Sequence, residues 1–294
     1  MEKFTHFIGI DISKKTLDIA VVTKGKTIHY SKIDNTVKAI KRWFKELDFS
    51  LENSLVCAEY TGVYNNHLLS VTQQNDINIC LETPTQIKRS LGMQRGKNDM
   101  VDAKRIAHYA YKNREYLKTY QYQRIVFKKL NQLHKVRKRI VSAITNLSKP
   151  LNELSFFSKE EAKIIKDSYK KSIKSLQNDL KTIDKQILNL IKEDQQLNRL
   201  YEIVSSVKGI GKVTAVNIII ATKEFKAINN PKKFACYAGV VPFEHQSGTS
   251  LKTKPRVSNM ADKKLKASLH MAAICALRYS EEIREYYLRK INEG

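Results

Sequence analysis

The rhythm of apolar and polar positions changes twice along this chain of 294 residues. In the first third, short continuous apolar runs dominate. Phe7 to Asp11, Leu17 to Val22 and Thr27 to Tyr30 read as strands, with Lys24-Gly25-Lys26 as the turn between the last two. Ser54 to Ala58 predicts a short buried strand, and Ile77 to Leu81 another. Between them, Val37, Ile40, Phe44 and Leu47 recur at helical spacing over 36–47, and Tyr64 to Gln74 reads as a helix. Residues 99–112 predict a further helix with Asn98 as its N-cap. Strands followed by alternating helix and strand describe an α/β domain that ends near residue 115.

The middle third changes to a 4-3 spacing. Val126, Leu130, Leu133, Ile140, Ile144, Leu147, Leu151 and Leu154 form one seam, with Arg137 in the missing position. Ile165, Tyr169, Ile173, Leu176, Leu180, Ile183, Ile187 and Leu190 form a second, unbroken one. The spacing predicts a coiled-coil helical hairpin that turns within Leu154–Glu160, with a kink at Pro150. It serves equally as a hairpin within one chain or as a seam for self-association. Residues 199–291 read as mainly helical. There Val207-Lys208-Gly209-Ile210-Gly211-Lys212-Val213 joins two apolar helical stretches in a helix-hairpin-helix-like pattern. Its glycines let backbone N–H groups approach phosphate, and Lys208 and Lys212 add charge.

Charge narrows the class of partner. The formal net charge of +24 and the pI of about 9.8 point to a polyanion, nucleic acid first. The excess is uneven: no acid lies between Glu115 and Glu153, which favours nucleic-acid backbone binding by Arg137, Lys138 and Arg139 over a merely solvated face. The four cysteines are scattered without metal-ligand spacing and are expected to be reduced thiols. No signal-peptide pattern or membrane-length apolar run is present, so a soluble cytoplasmic protein with no membrane partner is expected.

Against this basic background, acids at strand ends stand out. Asp11 ends one apolar run and Glu59 another, and Asp99 and Asp102 share one face of a helix at i and i+3. Taken singly, each has a bland role: an acid in a helix first turn is favoured by the helix dipole, and a strand-end glutamate is commonplace. Together, four carboxylates can hold hard divalent cations that drive phosphodiester chemistry.

Phe-Ile-Gly-Ile-Asp-Ile-Ser-Lys (7–14), Glu-Tyr-Thr-Gly-Val-Tyr (59–64) and Lys-Asn-Asp-Met-Val-Asp-Ala (97–103) resemble the signature blocks of the DEDD transposases of bacterial insertion sequences. Gly-Ile-Gly-Lys-Val-Thr-Ala (209–215), Phe-Ala-Cys-Tyr-Ala-Gly-Val-Val-Pro (234–242) and Gln-Ser-Gly-Thr-Ser (246–250) resemble that family's C-terminal domain. Met260 and Lys266 depart from it, standing where the family carries a glycine and an arginine.

The resemblance implies an α/β plus α architecture. A RuvC-like, RNase H-like catalytic domain spans 1–118, a coiled-coil region 119–198 and a C-terminal transposase domain 199–294. It implies a recombinase guided by a noncoding bridge RNA that pairs with donor and target DNA, working as a dimer that assembles to a tetramer. By the same resemblance Asp11, Glu59, Asp99 and Asp102 bind Mg²⁺, and Ser247 is the nucleophile, with Ser250 a close competitor. Further nucleic-acid contacts are assigned to Thr61, Tyr64, Arg95, Lys97, Lys208, Gly209, Gly211, Lys212 and Arg256. Two other readings compete. One is a Mg²⁺-dependent, structure-selective endonuclease that hydrolyses with water. The other is a nucleic-acid-binding protein with an inactive metal site.

Overall fold

The computed structural model describes residues 4–90, 98–247 and 251–293. The chain divides into two compact units, residues 1–122 and 123–294. Among the described residues no helix is long and apolar enough to cross a membrane.

The first unit is built on a five-stranded mixed sheet. Its strands are β1 (His6–Ile12), β2 (Thr16–Thr23), β3 (Lys26–Asp34), β4 (Ser54–Glu59) and β5 (Ile79–Glu82), in the order β3-β2-β1-β4-β5. β1 to β3 pair antiparallel, whereas β4 runs parallel to both β1 and β5. The central runs are apolar on both faces because both are covered. Ile8, Ile10, Ile19, Val21, Val56 and Ala58 share a core with Ile40, Trp43 and Phe44 of α1 (Val37–Lys45) and Leu68, Leu69 and Val71 of α2 (Asn66–Gln74). On the other face, Phe7, Ala20, Val22, Leu55 and Cys57 pack with Ala103, Ile106, Ala107 and Ala110 of α4 (Asp99–Lys112) and with Ile87 of the short α3 (Pro84–Ser90).

Gly9 is what lets α4 lie this close. A Cβ built there would sit 2.1 Å from the Ala107 backbone nitrogen and 2.4 Å from the Ala103 carbonyl oxygen. Any side chain at residue 9 would push the helix off the sheet. The start of α4 is fixed as the sequence predicts: the Asn98 side chain accepts from the N–H groups of Met100, at 2.8 Å, and Val101.

In the second unit, α5 (Ile125–Ser148) and α6 (Lys159–Glu193) pack on one another within the chain. Phe127 and Leu130 meet Ile187 and Ile191 at the inner end, where all four are buried. Pro150 does not kink a continuing helix. α5 stops at Ser148, and residues Pro150–Phe156 form a 3₁₀ turn. Proline has no N–H to continue the hydrogen-bond ladder, so the α-helix ends there although Lys149 keeps helical dihedrals. α6 then starts on a capping box between Ser158 and Glu161.

The core continues into α7 (Gln195–Ser205), α8 (Lys212–Thr222), α9 (Pro231–Ala238) and α10 (Lys263–Tyr279), with α11 (Glu281–Asn292) last. Arg124 ties this unit together. Its guanidinium binds Asp194, the N-cap of α7, at 2.7 and 3.0 Å, and also the buried Glu224. The expectation of a mainly helical C-terminal part misses one feature, a hairpin of β6 (Phe243–Ser247) and β7 (Leu251–Arg256). Neither strand carries an apolar run, so periodicity offers little signal for it.

Candidate active site

Strand register brings most of the site's acids into one row. Lys32 of β3 lies opposite Asp18 of β2, and Asp18 opposite Asp11 of β1. One step beyond the Ile10–Ala58 pair, Asp11 comes beside Glu59 of β4, which lies opposite Glu82 of β5. Residues two apart on a strand share a face, so Asp11 lies on the same face as Gly9, the face covered by α4. The first turn of α4 brings Asp99 and Asp102 to this side of the sheet.

The carboxylates feel one another. The Asp11 carboxyl is pushed up to about 6, first by burial and then by Glu59, Asp102, Asp99 and Asp18. Like charges opposite each other on a sheet are destabilising, and this row has four. Burial also raises the Glu82 carboxyl.

Three cationic or hydroxyl groups offset part of the repulsion. The Tyr30 hydroxyl donates to Asp18 Oδ1 at 2.5 Å, and this hydrogen bond pushes the phenol up to about 12. Lys32 Nζ lies 3.3 Å from Asp18 and 3.6 Å from Asp99. Arg105 Nη1 donates to Asp102 at 2.9 Å. Among the described residues, no three of His, Cys, Asp and Glu stand close enough to share one metal ion. The donor set nonetheless suits a hard divalent cation: it is all carboxylate oxygen, and its central member resists ionising beside its neighbours. A cation already stands among these acids in the form of the Lys32 ammonium.

Glu59 is held by a turn rather than by the strand alone. The buried Asn65 donates to the Glu59 carbonyl at 2.9 Å and accepts from the Thr61 N–H and hydroxyl at 2.7 and 3.0 Å. Thr61, predicted as a nucleic-acid contact, therefore has its hydroxyl engaged in the turn. Tyr64 remains exposed.

The other predicted contacts divide. Lys138 and Arg139 are exposed on α5. Arg137 is instead turned inward, with Nε 2.6 Å from Asp184 of α6, so its charge is paired inside the hairpin. Lys208 and Lys212 are exposed around the turn from α7 to α8. Gly209, at φ +93°, packs so close to α10 that a Cβ would meet the Ala272 carbonyl at 2.3 Å, while Gly211 is the N-cap of α8. Arg256 is exposed at the end of β7, and Ser247 is the last residue of β6, its backbone paired with Leu251. Arg95, Lys97 and Ser250 lie outside the described residues.

Sequence reasoning missed Asp18, Tyr30, Lys32, Asn65 and Glu82. Asp18 interrupts an apolar strand, a signal that was available. The others matter only through pairing and turn geometry.

Two family profiles match the chain. The IS110-type DEDD transposase profile matches residues 8–154, and the profile described as transposase IS116/IS110/IS902 family matches residues 201–288. The pilin gene-inverting proteins of Moraxella bovis and Moraxella lacunata are 24% and 25% identical to it. Each match covers 91% of this chain and 82% of the relative. Among solved structures, Thermus thermophilus RuvC with a Holliday junction substrate is 15% identical, with a TM-score of 0.33, over 40% of this chain and 99% of RuvC. A second Thermus thermophilus RuvC structure gives 16% and 0.32, over 39% and 99%. With acids of all three signature blocks gathered about the C-terminal ends of β1 and β4 and both profiles matched in order, the chain belongs to the IS110-type transposase family and is a DNA transposase/recombinase.

Proposed function

We propose that this transposase exchanges DNA strands with Mg²⁺ held by Asp11, Glu59, Asp99 and Asp102 in an RNase H-like first unit, and with Ser247 of the second unit as nucleophile. The observation that carries the metal half is the acidic row across the sheet, with its central carboxyl pushed up by the others. The serine rests on the match of the 246–250 segment to the family's C-terminal block.

When bound, Mg²⁺ polarises the scissile phosphate and stabilises the charge that develops on it. The protein's residues do the rest. Asn65 and Gly9 set where Glu59 and α4 stand. The Ser247 hydroxyl oxygen attacks phosphorus and loses its proton as the phosphorus–oxygen bond to the leaving strand breaks, and that oxygen takes up a proton. Reversal by another strand's hydroxyl forms the new DNA linkage and frees the serine, so no bond is lost to water. The pilin gene-inverting relatives, whose name describes a rearrangement, favour rejoining over hydrolysis.

Donor and target DNA are the substrates. A bridge RNA is the proposed guide, and a homodimer that assembles to a tetramer in the cytoplasm the working form. Lys138 and Arg139, Lys208 and Lys212, and Arg256 supply exposed charge for these polyanions. The test combines purified protein with the element's flanking noncoding RNA, Mg²⁺ and both DNAs, and looks for a covalent protein–DNA adduct. An RNA-dependent adduct lost in both Ser247→Ala and Asp11→Ala is expected. Free cleaved ends that survive Ser247→Ala would replace this reading with the hydrolytic endonuclease.

A further inference from the structure

Lys32 lies opposite Asp18 in the strand register, its ammonium 3.3 Å from that carboxylate and 3.6 Å from Asp99. Asp18 is 2% exposed and is also held by the Tyr30 hydroxyl at 2.5 Å, so it is a fixed anchor. Asp99 is different: its side chain is 64% exposed, at the first position of α4. The lysine thus has one buried partner and one exposed partner, and the exposed one is a proposed metal ligand.

We propose that Lys32 is a built-in counter-ion that competes with the divalent cation for Asp99 and so sets the metal affinity of the site. This rests on the metal reading above. Without metal, the ammonium offsets repulsion among the acids on this face of the sheet. When metal is bound, Asp99 turns from lysine to metal, while Asp18 keeps Lys32 at the edge of the site. A cation tethered this way weakens metal binding by charge repulsion and by occupying a ligand, both of which act at short range. Lys32 is a positioning residue on this account, not a catalytic one.

The experiment is calorimetric titration of Mn²⁺ into the full-length protein without nucleic acid. Wild type is compared with Lys32→Met, Lys32→Arg, Lys26→Met and Asp11→Asn. Lys26 is on the same strand, about 20 Å away at the strand rise, on the opposite face because of the bulge between them, and matches the change in net charge. Lys32→Met is expected to bind Mn²⁺ at least threefold more tightly, while Lys32→Arg and Lys26→Met stay near wild type. Unchanged or weaker binding by Lys32→Met would overturn the inference, as would equal tightening by Lys26→Met. Asp11→Asn separates the two claims: if it binds as wild type does, the metal reading itself fails. Lys32 is half-exposed, and a thermal melt of each variant confirms that it is folded.

Discussion

At the residue scale, Asp11 decides most. Its carboxyl is pushed up to about 6 in the folded protein from an ordinary value of 3.8, by burial first and then by the neighbouring acids. A folded value above the unfolded one means that the proton favours the fold. The contribution is fully present below pH 3.8 and is lost as pH rises through 6. Without divalent cations, the wild type is therefore expected to lose stability between about pH 4 and 7, and Asp11→Asn to lose less. Denaturant melts across that range check this; parallel pH profiles would contradict it. Added Mg²⁺ should recover stability in wild type at pH 7.5 and do little for Asp11→Asn. A binding cation stabilises only the state that holds it.

At the scale of elements, the site depends on how α4 meets the sheet. Gly9→Ala would put a Cβ 2.1 Å from the Ala107 backbone nitrogen, so the helix must shift. A loss of about 3 kcal/mol in denaturant melts is expected, at the upper end of ordinary overpacking because the clash is with backbone. Cleavage should fall along with stability. In the second unit, Arg124→Ala leaves Glu224 buried without its guanidinium partner. A cost of about 2–4 kcal/mol is expected, below the full figure for a buried pair because Arg124 is itself partly exposed. A melt indistinguishable from wild type would contradict this.

Several elements were legible in the sequence for identifiable reasons. The runs ending at Asp11 and Ala58 are apolar throughout because helices cover both faces of their strands. The Asn98 cap is a local signal that needs no tertiary context. The acidic row was legible only in part. Asp11 and Glu59 are marked by strand ends, but Lys32 joins them only through the pairing of β3 with β2. Arg137 stands in the missing seam position of a basic helix, but only the packing of α5 on α6 reveals Asp184 beside it. Pro150 was visible, but whether it bends or ends a helix depends on what the chain does next.

At the scale of the whole molecule, the net charge of +24 predicts binding to nucleic acid that weakens steeply with salt. Replacing exposed Lys138 and Arg139 together with glutamine should lower the slope of log affinity against log salt by up to about two, with little change in folding stability. An unchanged slope would remove that face of α5 from the interface. Whether the acids of the first unit form a divalent-metal centre can be measured on the protein alone, without any nucleic acid. Fe²⁺ in place of Mg²⁺, with ascorbate and peroxide, releases hydroxyl radicals where the metal sits, and mass spectrometry maps where the chain is cut or oxidised. Damage is expected around Asp11, Glu59 and Asp99–Asp102, suppressed by excess Mg²⁺ and absent in Asp11→Asn. Damage confined to other segments, or unaffected by Asp11→Asn, would contradict it.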